Sequence, residues 1–488
     1  MFRRTRAPMF DAAAVLRQFA APVRELSGDS RRMPRGGVFV AYPGLRGDGR
    51  RHIGDALAAG AAGVLWEPEG FSWPRDLTAP NAPVPRLAER AGLLADVVYG
   101  APSRRMFTAA ITGTNGKTTT AFFAAQLLSQ GGLAAGVIGT LGAGIWGETM
   151  RPLPNTTPEA ISLHRLLRDF ADGGARAAVM EASSHGIAQR RLAGVRPAAA
   201  ALLNIQRDHL EYHGDLESYR RVKTELLQSE GLRTAIINAD DSAAAAAISH
   251  PRAAETRTFG ARGDALRLCG TEAAEDGQTL ILDGAEGRRR CFLPMRGRHN
   301  AYNFMAAALL ARAAGVSWEE MRPAELSPPR GRLQRVNPGG APAVYVDYAH
   351  TPDALSAALS SFAERRGRLW LIFGCGGARD AGKRRQMGQT AASLADVAII
   401  TDDNPRDEDP QIIRAEIASG GVRMREIAER GAAIAAAIAA AEDEDTILIA
   451  GKGHEEYQEI GGDFRPFSDA ETARALLFSR AQGGAGRC

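Results

Sequence analysis

The stretch ITGTNGKTTT, residues 111–120 of this 488-residue chain, decides the fold of the region around it. It follows an apolar run and precedes the helical pattern AFFAAQLLSQ, which is the strand-loop-helix order that a phosphate-binding loop requires. Gly113 and Gly116 let the backbone turn so that its N–H groups face phosphate, and the helix N-terminus adds its dipole. The sequence therefore predicts ATP binding by Gly113, Thr114, Asn115, Gly116, Lys117, Thr118 and Thr119.

This loop is a short variant of the usual pattern. Lys117 supplies positive charge and Thr118 offers a hydroxyl to magnesium, as in longer loops. The usual pattern has a glycine five residues before the second glycine, and this chain has Ile111 there. A chance Gly-Lys-Thr turn is the alternative interpretation, and the strand-loop-helix context argues against it.

Apolar runs alternate with helical segments on both sides of the loop, which predicts parallel sheets with crossover helices. In the middle of the chain the runs are FTAAITGT, AAGVIGT, ARAAVMEASS, AAALLNI and TAIINADD. The pattern stops at SPPRGRLQR and restarts with APAVYVDYAH, RLWLIFGCGG, DVAIITDDNP and DTILIAGKGH. Each of these last runs ends in polar, Gly-rich residues, and ligands bind at that end of open α/β sheets. The two regions should therefore face a shared cleft.

Composition indicates a soluble protein, and an anionic small-molecule substrate would suit its mild positive charge. The net charge of +4 is not concentrated in Lys/Arg blocks, so nucleic-acid binding is not expected. No apolar run is long enough to span a membrane, and the first residues lack the uninterrupted apolar stretch of a secretory signal. A reducing cytoplasm fits the scattered cysteines, which lack metal-binding spacing: Cys269, Cys291, Cys375 and Cys488. We expect a cytoplasmic monomer.

Several motifs together resemble the Mur ligase superfamily, which includes the peptidoglycan amino-acid ligases and folylpolyglutamate synthase. They are the short loop GTNGKTT, LSGDSRRMPRGGVFVAYPG with GDGRRHI, PNTTPE, MEASSHGIAQRR, GRHNAYN, DYAHTPD and GKGHEEY. The resemblance covers nearly the whole chain and implies an α/β protein of three domains. These are a UDP-sugar-binding α/β domain (1–105), a central P-loop ATPase-like ligase domain with a parallel sheet (106–328), and a C-terminal Rossmann-like amino-acid-binding domain (329–488).

The resemblance implies ATP-dependent ligation, which needs a carboxylate activated as an acyl phosphate and magnesium to neutralise the phosphate oxygens. Glu181 ends one strand and His209 follows another, so both should reach the sheet edge that holds Thr118. Helix capping is the alternative role for both. The implied catalytic residues are Lys117, Glu181, His209 and Lys223. The implied magnesium ligands are Thr118, Glu181, His209 and Lys223 as a carbamate.

Lys223 is predicted to lie on the apolar stripe of the helix LESYRRVKTELLQ, since apolar residues stand at helical spacings from it. Snorkelling of the side chain to solvent is the ordinary interpretation. The resemblance implies instead that this lysine is carbamylated and that the anion holds a second magnesium. Desolvation lowers the pKa of a lysine and so exposes the neutral amine that carbon dioxide requires.

The resemblance also implies contacts to the two nucleotides, and diphosphate and carboxylate groups do need arginine and hydroxyl donors. The residues that contact the uridine or muramoyl end of the UDP-sugar substrate would be Asp29, Ser30 and Arg31. Residues holding the sugar and peptide would be Thr156, Thr157, Ser183, Gln189 and Arg191. For ATP, Asn300 would meet adenine, Arg332 would reach phosphate, and Asp347 and His350 would lie near ribose. His299 and His350 have helix capping as an alternative role.

The stretch DDNPRDE, residues 402–408, indicates the amino-acid substrate. Diaminopimelate carries a second amino-acid head, which needs a cation for its carboxylate and oxygen acceptors for its amine. Arg406 would supply the cation. Glu455 and the carbonyl of Gly451 would supply the acceptors. In a lysine pocket Arg406 would be an unsatisfied charge.

The DNPR motif resembles that of Mur ligases specific for meso-diaminopimelate, which implies contacts from Arg379, Asp403, Asn404, Pro405 and Arg406. A simple Asn-Pro turn is the alternative. Arg385 stands where the family commonly has proline. The leading hypothesis is addition of meso-diaminopimelate to UDP-N-acetylmuramoyl-L-alanyl-D-glutamate with ATP and Mg²⁺. A folate or cyanophycin ligase, and a nucleotide-gated binding or scaffold protein without catalysis, are the alternatives.

Overall fold

A computed structural model describes residues 10–44, 47–249 and 251–485. The first residues, on which the expectation about a secretory signal depends, and Cys488 lie outside this described part. Within it, no helix is long and apolar enough to cross a membrane. The three principal sheets follow one another along the chain, and the predicted α/β class is confirmed.

The first sheet has four parallel strands in the order β1-β2-β3-β4. Strands β2 and β3 are buried along their length, as expected of a parallel sheet covered by helices. The strands are β1 (Leu26–Ser27), β2 (Val38–Ala41), β3 (Gly63–Trp66) and β4 (Asn81–Pro83), and the helices are α1 (Ala12–Leu16), α2 (Ile53–Ala58) and α3 (Leu87–Val98).

The second sheet has ten strands in the order β14-β13-β12-β11-β10-β9-β5-β8-β6-β7. Its strands are β5 (Phe107–Thr112), β6 (Ala135–Gly139), β7 (Gly142–Ile145), β8 (Ala177–Glu181), β9 (Ala199–Leu202), β10 (Thr234–Asn238), β11 (Glu255–Gly260), β12 (Leu266–Ala274), β13 (Gly277–Gly284) and β14 (Gly287–Leu293). Its helices are α4 (Lys117–Gln130), α5 (Ala160–Asp172), α6 (Ser184–Ala188), α7 (Leu210–His213), α8 (Leu216–Thr224), α9 (Ser242–Ala245) and α10 (Arg298–Ala313). The five runs predicted as strands form β5, β6, β8, β9 and β10.

The third sheet has six strands in the order β15-β16-β20-β17-β18-β19, and a separate hairpin follows it. The strands are β15 (Gln334–Arg335), β16 (Ala343–Asp347), β17 (Leu369–Phe373), β18 (Val397–Ile400), β19 (Met424–Glu426), β20 (Thr446–Ala450), and the hairpin β21 (Tyr457–Ile460) and β22 (Asp463–Pro466). The helices are α11 (Pro352–Ser360), α12 (Gly382–Leu394), α13 (Pro410–Ala418), α14 (Arg430–Ala440) and α15 (Asp469–Ala485). The four predicted runs form β16, β17, β18 and β20.

The core of the second sheet fixes where the phosphate loop lies. Helices α4 and α10 pack beside each other and are buried on most of their surface, with Phe123 and Phe304 fully inaccessible. Burial of one such phenylalanine side chain contributes roughly 1.5–3 kcal/mol. In the parallel register, Ile111 of β5 pairs with Glu181 of β8. The end of β8 therefore lies level with the start of the loop.

The predicted domain boundaries, 105/106 and 328/329, fall between the three sheets along the chain. The division itself stays a prediction. Arg385, which stands where the family commonly has proline, lies exposed in the first turns of α12, so the helix begins without that proline.

Candidate functional site

A cavity of about 1710 Å³ lies where the carboxyl ends of the second and third sheets face each other, with Tyr42, Pro43 and Gly44 of the first region at its side. Predicted residues that line it are Thr114, Asn115, Gly116, Lys117, Thr118, Thr119, Thr156, Glu181, Ser183, Gln189, Arg191, His209, Asn300, Arg332, Asp347, His350, Arg379, Asp403, Asn404, Arg406, Gly451 and Glu455. Predicted residues absent from its lining are Asp29, Ser30, Arg31, Gly113, Thr157, Lys223 and Pro405.

The phosphate loop is held open by the backbone of Gly116 and by the segment after β9. Gly116 has φ of +89°, and a Cβ there would lie 2.2 Å from Asn303 Oδ1, so glycine is required. The N–H of Asn115 donates to Asn204 Oδ1 at 2.8 Å, and Asn115 Nδ2 donates to Gln206 Oε1 at 2.8 Å. No side chain caps α4 at Gly116. The N-terminal N–H groups of α4 therefore remain available to phosphate oxygens.

Lys117 places its ammonium inside this loop. Its Nζ donates to the carbonyls of Gly113 at 2.8 Å and Thr114 at 2.9 Å. Burial lowers the pKa of Lys117, and the nearby carboxylate of Glu181 opposes that shift. The loop thus holds a cation beside the α4 N-terminus, which is the arrangement that binds terminal phosphates.

Glu181 is a buried carboxylate at the end of β8, with 1% of its surface exposed. It accepts hydrogen bonds from the Thr118 hydroxyl at 3.1 Å, the Thr140 hydroxyl at 3.1 Å and the Thr140 N–H at 2.8 Å. All three donors are uncharged. A buried carboxylate next to a loop hydroxyl, without a charged donor of its own, fits a hard divalent cation. The alternative that Glu181 caps a helix has no support, because Ser183 caps α6.

His209 lines the same cavity in a strained backbone conformation. Its φ is +53°, which is uncommon for a residue with a Cβ. Its ring lies 3.4 Å from Asp208 Oδ2 and 3.5 Å from Glu211 Oε1, and 4.8 Å between centroids from the ring of His185. Burial lowers the pKa of His209, so the ring is neutral at pH 7 and keeps a lone pair. The described residues contain no group of three or more His, Cys, Asp or Glu side chains arranged to hold a metal.

Lys223 lies behind the phosphate loop and is 1% exposed, as the apolar stripe of α8 predicts. It does not snorkel to solvent: its Nζ donates to the Gly113 carbonyl at 2.7 Å and lies 4.7 Å from the centre of the Tyr219 ring. Burial lowers the pKa of Lys223 well below its ordinary value, and the charge of Lys117 lowers it further. Both lysines thus donate to one carbonyl oxygen.

The predicted sugar and peptide residues form a connected network beside Glu181. The Thr157 hydroxyl, which is buried, donates to the Glu181 carbonyl at 2.8 Å and lies 3.1 Å from Ser183 Oγ. Arg191 donates to the Thr157 carbonyl at 2.6 Å and to Gln189 Oε1 at 3.0 Å. Thr156 is 3.1 Å from Thr140, which itself contacts Glu181. This network presents hydroxyls and one guanidinium to the cavity next to the phosphate loop.

The segment of Asp29, Ser30 and Arg31 lies in the first region, away from the cavity lining. Asp29 caps a short 3₁₀ helix and pairs with Arg31 at 2.9 Å, and this pair lowers the pKa of Asp29. The Arg31 side chain is 86% exposed. The predicted contact of these residues with a uridine or muramoyl group stays a prediction.

The predicted nucleotide-binding residues converge on the loop from two sheets. Arg332 donates to Thr118 Oγ1 at 3.3 Å and lies 4.3 Å from the Tyr348 ring centre. Asp347 accepts from the N–H groups of Leu333 at 2.7 Å and Ala349 at 2.8 Å, and burial raises its pKa. Asn300 lies at the start of α10, where it donates to the Arg296 carbonyl at 2.8 Å.

His350 does not act as a helix cap, because its Nδ1 donates to the Tyr348 carbonyl at 2.8 Å and Thr351 caps α11. Burial lowers the pKa of His350 to about 4, with the charge of Lys383 as the second cause. Burial likewise lowers the pKa of His299 to about 4. Both rings are neutral at pH 7.

The predicted amino-acid pocket is built from two loops of the third sheet. Asn404 Nδ2 donates to Glu455 Oε2 at 2.8 Å. Arg406, with φ of +55°, donates to Glu459 Oε2 at 2.9 Å and to the Gly377 carbonyl at 2.7 Å. Such a left-handed conformation costs roughly 1–2 kcal/mol for a residue with a Cβ, and here it turns the guanidinium toward the cavity.

Gly451 closes this pocket on the side of β20. Its φ is +113°, and a Cβ there would lie 2.6 Å from Asp403 Oδ2, so the close approach of the two loops requires glycine. Asp403 Oδ1 accepts from the Asn404 N–H at 2.8 Å. Pro405 lies between Asn404 and Arg406 without lining the cavity. The DNPR segment is therefore a turn, and it is one that aims polar groups into the cavity.

Sequence reasoning missed several residues of the site. Thr140 and Asn303 contact Glu181 and the loop but belong to no motif that marks them. Lys383 and Asp208 line the cavity from opposite sheets. Lys452 belongs to the GKGHEEY motif without a role assigned to it there. Its position two residues after the buried strand β20 was the available signal.

Comparisons with known proteins identify relatives of this chain. The sequence matches the Mur ligase middle domain over residues 111–311 and the Mur ligase, glutamate ligase domain over residues 331–453. It is 43% identical over 485 residues to the UDP-N-acetylmuramoyl-L-alanyl-D-glutamate--2,6-diaminopimelate ligase of Chromobacterium violaceum, covering 97% of this chain and 98% of that protein.

Two solved structures share the fold. A structure of a UDP-N-acetylmuramoyl-L-alanyl-D-glutamate--2,6-diaminopimelate ligase superposes with a TM-score of 0.68 at 34% identity, covering 94% of this chain and 96% of that one. The MurF ligase from Thermotoga maritima, in complex with ADP, gives a TM-score of 0.68 at 18% identity, covering 94% and 98%. At that lower identity the second likeness shows the fold alone.

Proposed function

Since this chain belongs to the Mur ligase family, we propose that it joins meso-2,6-diaminopimelate to UDP-N-acetylmuramoyl-L-alanyl-D-glutamate at the expense of ATP. The observation that carries the proposal is the single cavity in which the phosphate loop, the Glu181 network and the DNPR turn face one another. In this proposal residues 1–105 bind the UDP-sugar, 106–328 bind ATP and 329–488 bind the amino acid. The protein would act in the cytoplasm as a monomer.

The proposed chemistry has two steps. First, the D-glutamyl side-chain carboxylate attacks the γ-phosphorus of ATP, so that an O–P bond forms and the bond to ADP breaks. Then the diaminopimelate amine attacks the acyl carbon, its C–N bond forms, and phosphate leaves with the carboxylate oxygen and its bonding pair. The amine loses one proton in this second step. No protein nucleophile is needed, and positioning with charge stabilisation lowers the barrier.

The chain's residues supply that positioning. Lys117 and the α4 N-terminus hold the phosphates, while Arg332, which donates to Thr118, brings a second cation from the third sheet. Arg191 and the hydroxyls around Thr157 orient the peptide carboxylate next to Glu181. The same donors exclude water from the acyl phosphate when the substrates fill the cavity.

Magnesium belongs to the proposal because the donor set fits it. Glu181 is a buried carboxylate with uncharged donors only, and Thr118 and the neutral His209 line the cavity beside it. These residues would hold the ion, which neutralises phosphate oxygens during transfer. Lys223 as a carbamate would add an anion. Lys117 and Lys223 both reach the Gly113 carbonyl, and a carbamate on Lys223 would place an anion close to the Lys117 ammonium.

The other hypotheses have weaker support. A folate or cyanophycin ligase does not account for a relative that is 43% identical over nearly the whole chain and is named a diaminopimelate ligase. A binding or scaffold protein would lack a central group. Here Lys117, Glu181 and His209 line one cavity, and Lys223 contacts the loop behind it.

A phosphate-release assay tests the proposal. The full-length protein is incubated with ATP, Mg²⁺ and the UDP-dipeptide, and meso-diaminopimelate or L-lysine is added. We expect phosphate equimolar with a product heavier by one diaminopimelate residue. We expect kcat/KM for lysine to be lower by at least ~10²-fold, because lysine has no distal carboxylate to bind Arg406. Equal use of lysine would contradict the specificity, and no phosphate with either amino acid would contradict the enzyme assignment.

A matched variant separates the Arg406 contribution from general pocket damage. Arg406→Met keeps the length of the side chain and removes its charge. The diaminopimelate-to-lysine ratio of kcat/KM should fall at least ~10-fold in this variant, since the lost bond is charge-assisted. An unchanged diaminopimelate-to-lysine ratio of kcat/KM would show that another group binds the distal carboxylate.

A further inference from the structure

A fully buried lysine lies directly behind the amino-acid pocket. Lys452 follows β20 between two glycines of positive φ, Gly451 and Gly453, and none of its surface is exposed. Its Nζ donates to Asn404 Oδ1 at 3.0 Å and to Glu455 Oε2 at 3.1 Å. Lys452 does not line the cavity, whereas Asn404 and Glu455 do. Lys452 therefore acts on the cavity from behind, through lining side chains, and Asn404 and Glu455 are the ones that accept its hydrogen bonds.

Lys452 determines how the Asn404 amide faces. Asn404 Oδ1 accepts from Lys452 Nζ and from the Glu459 N–H at 3.0 Å, and Nδ2 donates to Glu455 Oε2. A flipped amide would point its NH₂ group at two donors and its oxygen at a carboxylate. Because every one of those contacts would be repulsive, the three together fix a single orientation, and the Lys452 ammonium supplies the charged donor among them.

Lys452 also determines which oxygen of Glu455 is free. Both recorded hydrogen bonds to the carboxylate, from Lys452 and Asn404, go to Oε2. Within the described residues Oε1 has no hydrogen-bond partner, and the side chain is 20% exposed at the cavity wall. One carboxylate oxygen is thus held by the protein while the other is presented to a ligand.

The part of the cavity wall around Asn404 contains two ion pairs. Lys452 pairs with Glu455, and Arg406 pairs with Glu459 at 2.9 Å. The two pairs sum to zero, so the wall matches a distal group that is itself a zwitterion: an ammonium at Glu455 Oε1 and a carboxylate at Arg406. A side chain ending in an ammonium alone would add an uncompensated positive charge beside Lys452 and Arg406.

We infer that Lys452 is a positioning residue that makes the pocket selective for amino acids with a zwitterionic distal head, by orienting Asn404 and Glu455. The inference rests on the proposed function and deepens it. Removing the ammonium takes away one of the three contacts that orient the Asn404 amide and leaves Glu455 as an unbalanced anion, which favours a purely cationic side chain.

Steady-state kinetics of Lys452→Met test this inference, because methionine keeps the stem and removes the charge. The KM for meso-diaminopimelate should rise at least ~10-fold, while the KM values for ATP and the UDP-dipeptide stay within about twofold. The kcat/KM ratio of lysine to diaminopimelate should rise. Arg335→Met is the matched control, since Arg335 is a largely buried cation of the same region that pairs with Asp276 outside the cavity. It should change none of these values.

Variants at Glu455 keep the test decisive if Lys452→Met folds poorly. The double variant Lys452→Met with Glu455→Gln removes both members of the buried pair and should fold, because no lone charge is left inside. In the Glu455→Gln background the Lys452→Met change should raise the diaminopimelate KM by less than it does in the unsubstituted protein, since only the effect through Asn404 then remains.

Two results would overturn the inference: an unchanged diaminopimelate KM in folded Lys452→Met, or a Lys452→Met effect of full size in the Glu455→Gln background. Failure of the proposed function would give a different experimental result. In that case the unsubstituted protein itself forms no diaminopimelate product.

Discussion

Replacing Lys117 by methionine is expected to lower kcat by at least ~10²- to 10³-fold, the loss typical when one charge-stabilising donor is removed from an active site. The side-chain length is kept, and the helix propensity of methionine is close to that of lysine. What disappears is the ammonium that lies inside the loop and donates to the Gly113 and Thr114 carbonyls. Charge then builds on the γ-phosphate oxygens without its main counter-charge from the loop.

The measurement is single-turnover phosphate release at saturating substrates, together with thermal unfolding to confirm the fold. The UDP-dipeptide should still bind, because Arg191 and Thr157 are untouched. Retention of more than about a tenth of kcat in Lys117→Met would contradict the role of this loop in phosphoryl transfer.

Replacing Lys223 by alanine is expected to reduce activity by ~10²-fold or more and to make the residual activity responsive to added formate or acetate. Burial lowers the pKa of Lys223 well below its ordinary value, which raises the share of the neutral amine. A neutral amine adds to carbon dioxide with loss of one proton and becomes an anion. The cavity left by alanine would admit a short carboxylate in its place.

Lys223→Arg distinguishes the two explanations for a loss of activity. Arginine keeps a positive charge at the Gly113 carbonyl but cannot form a carbamate, so it should be inactive and unresponsive to carboxylates. Intact mass measurement under carbon dioxide should show the added group only in the unsubstituted protein. Full activity of Lys223→Ala, or rescue of Lys223→Arg by acetate, would remove the carbamate from the mechanism.

The parallel cores were predictable because their strands carry continuous apolar runs. FTAAIT became β5 and TILIA became β20, each with polar residues at its carboxyl end, as the pattern predicts. The antiparallel extension of the second sheet was not predicted. Strands β12 to β14 form two consecutive hairpins, with Ala274 paired to Gly277 and Gly284 paired to Gly287. They lack the continuous apolar runs that mark the parallel strands, and β14 contains three successive arginines, so the apolar-run pattern did not predict them.

The side chains of the site likewise include some that the sequence could place and some that it could not. Lys223 could be placed in the interior because one helix period positions it among apolar neighbours. Thr140 and Asn303 could not be identified, since each is an ordinary polar residue until the fold brings it to Glu181 or to Gly116. The role of Lys452 likewise depends on a contact 48 positions along the chain, at Asn404.

The most direct measurement follows oxygen from the peptide to the phosphate. The UDP-dipeptide is prepared with ¹⁸O in both oxygens of the D-glutamyl side-chain carboxylate and is converted with ATP and meso-diaminopimelate. The account predicts one ¹⁸O in each phosphate released, one retained in the new amide, and none in the nucleotide. Unlabelled phosphate would show that ATP is hydrolysed without acyl phosphate formation, and label in AMP would show an acyl-adenylate route; either result contradicts the account.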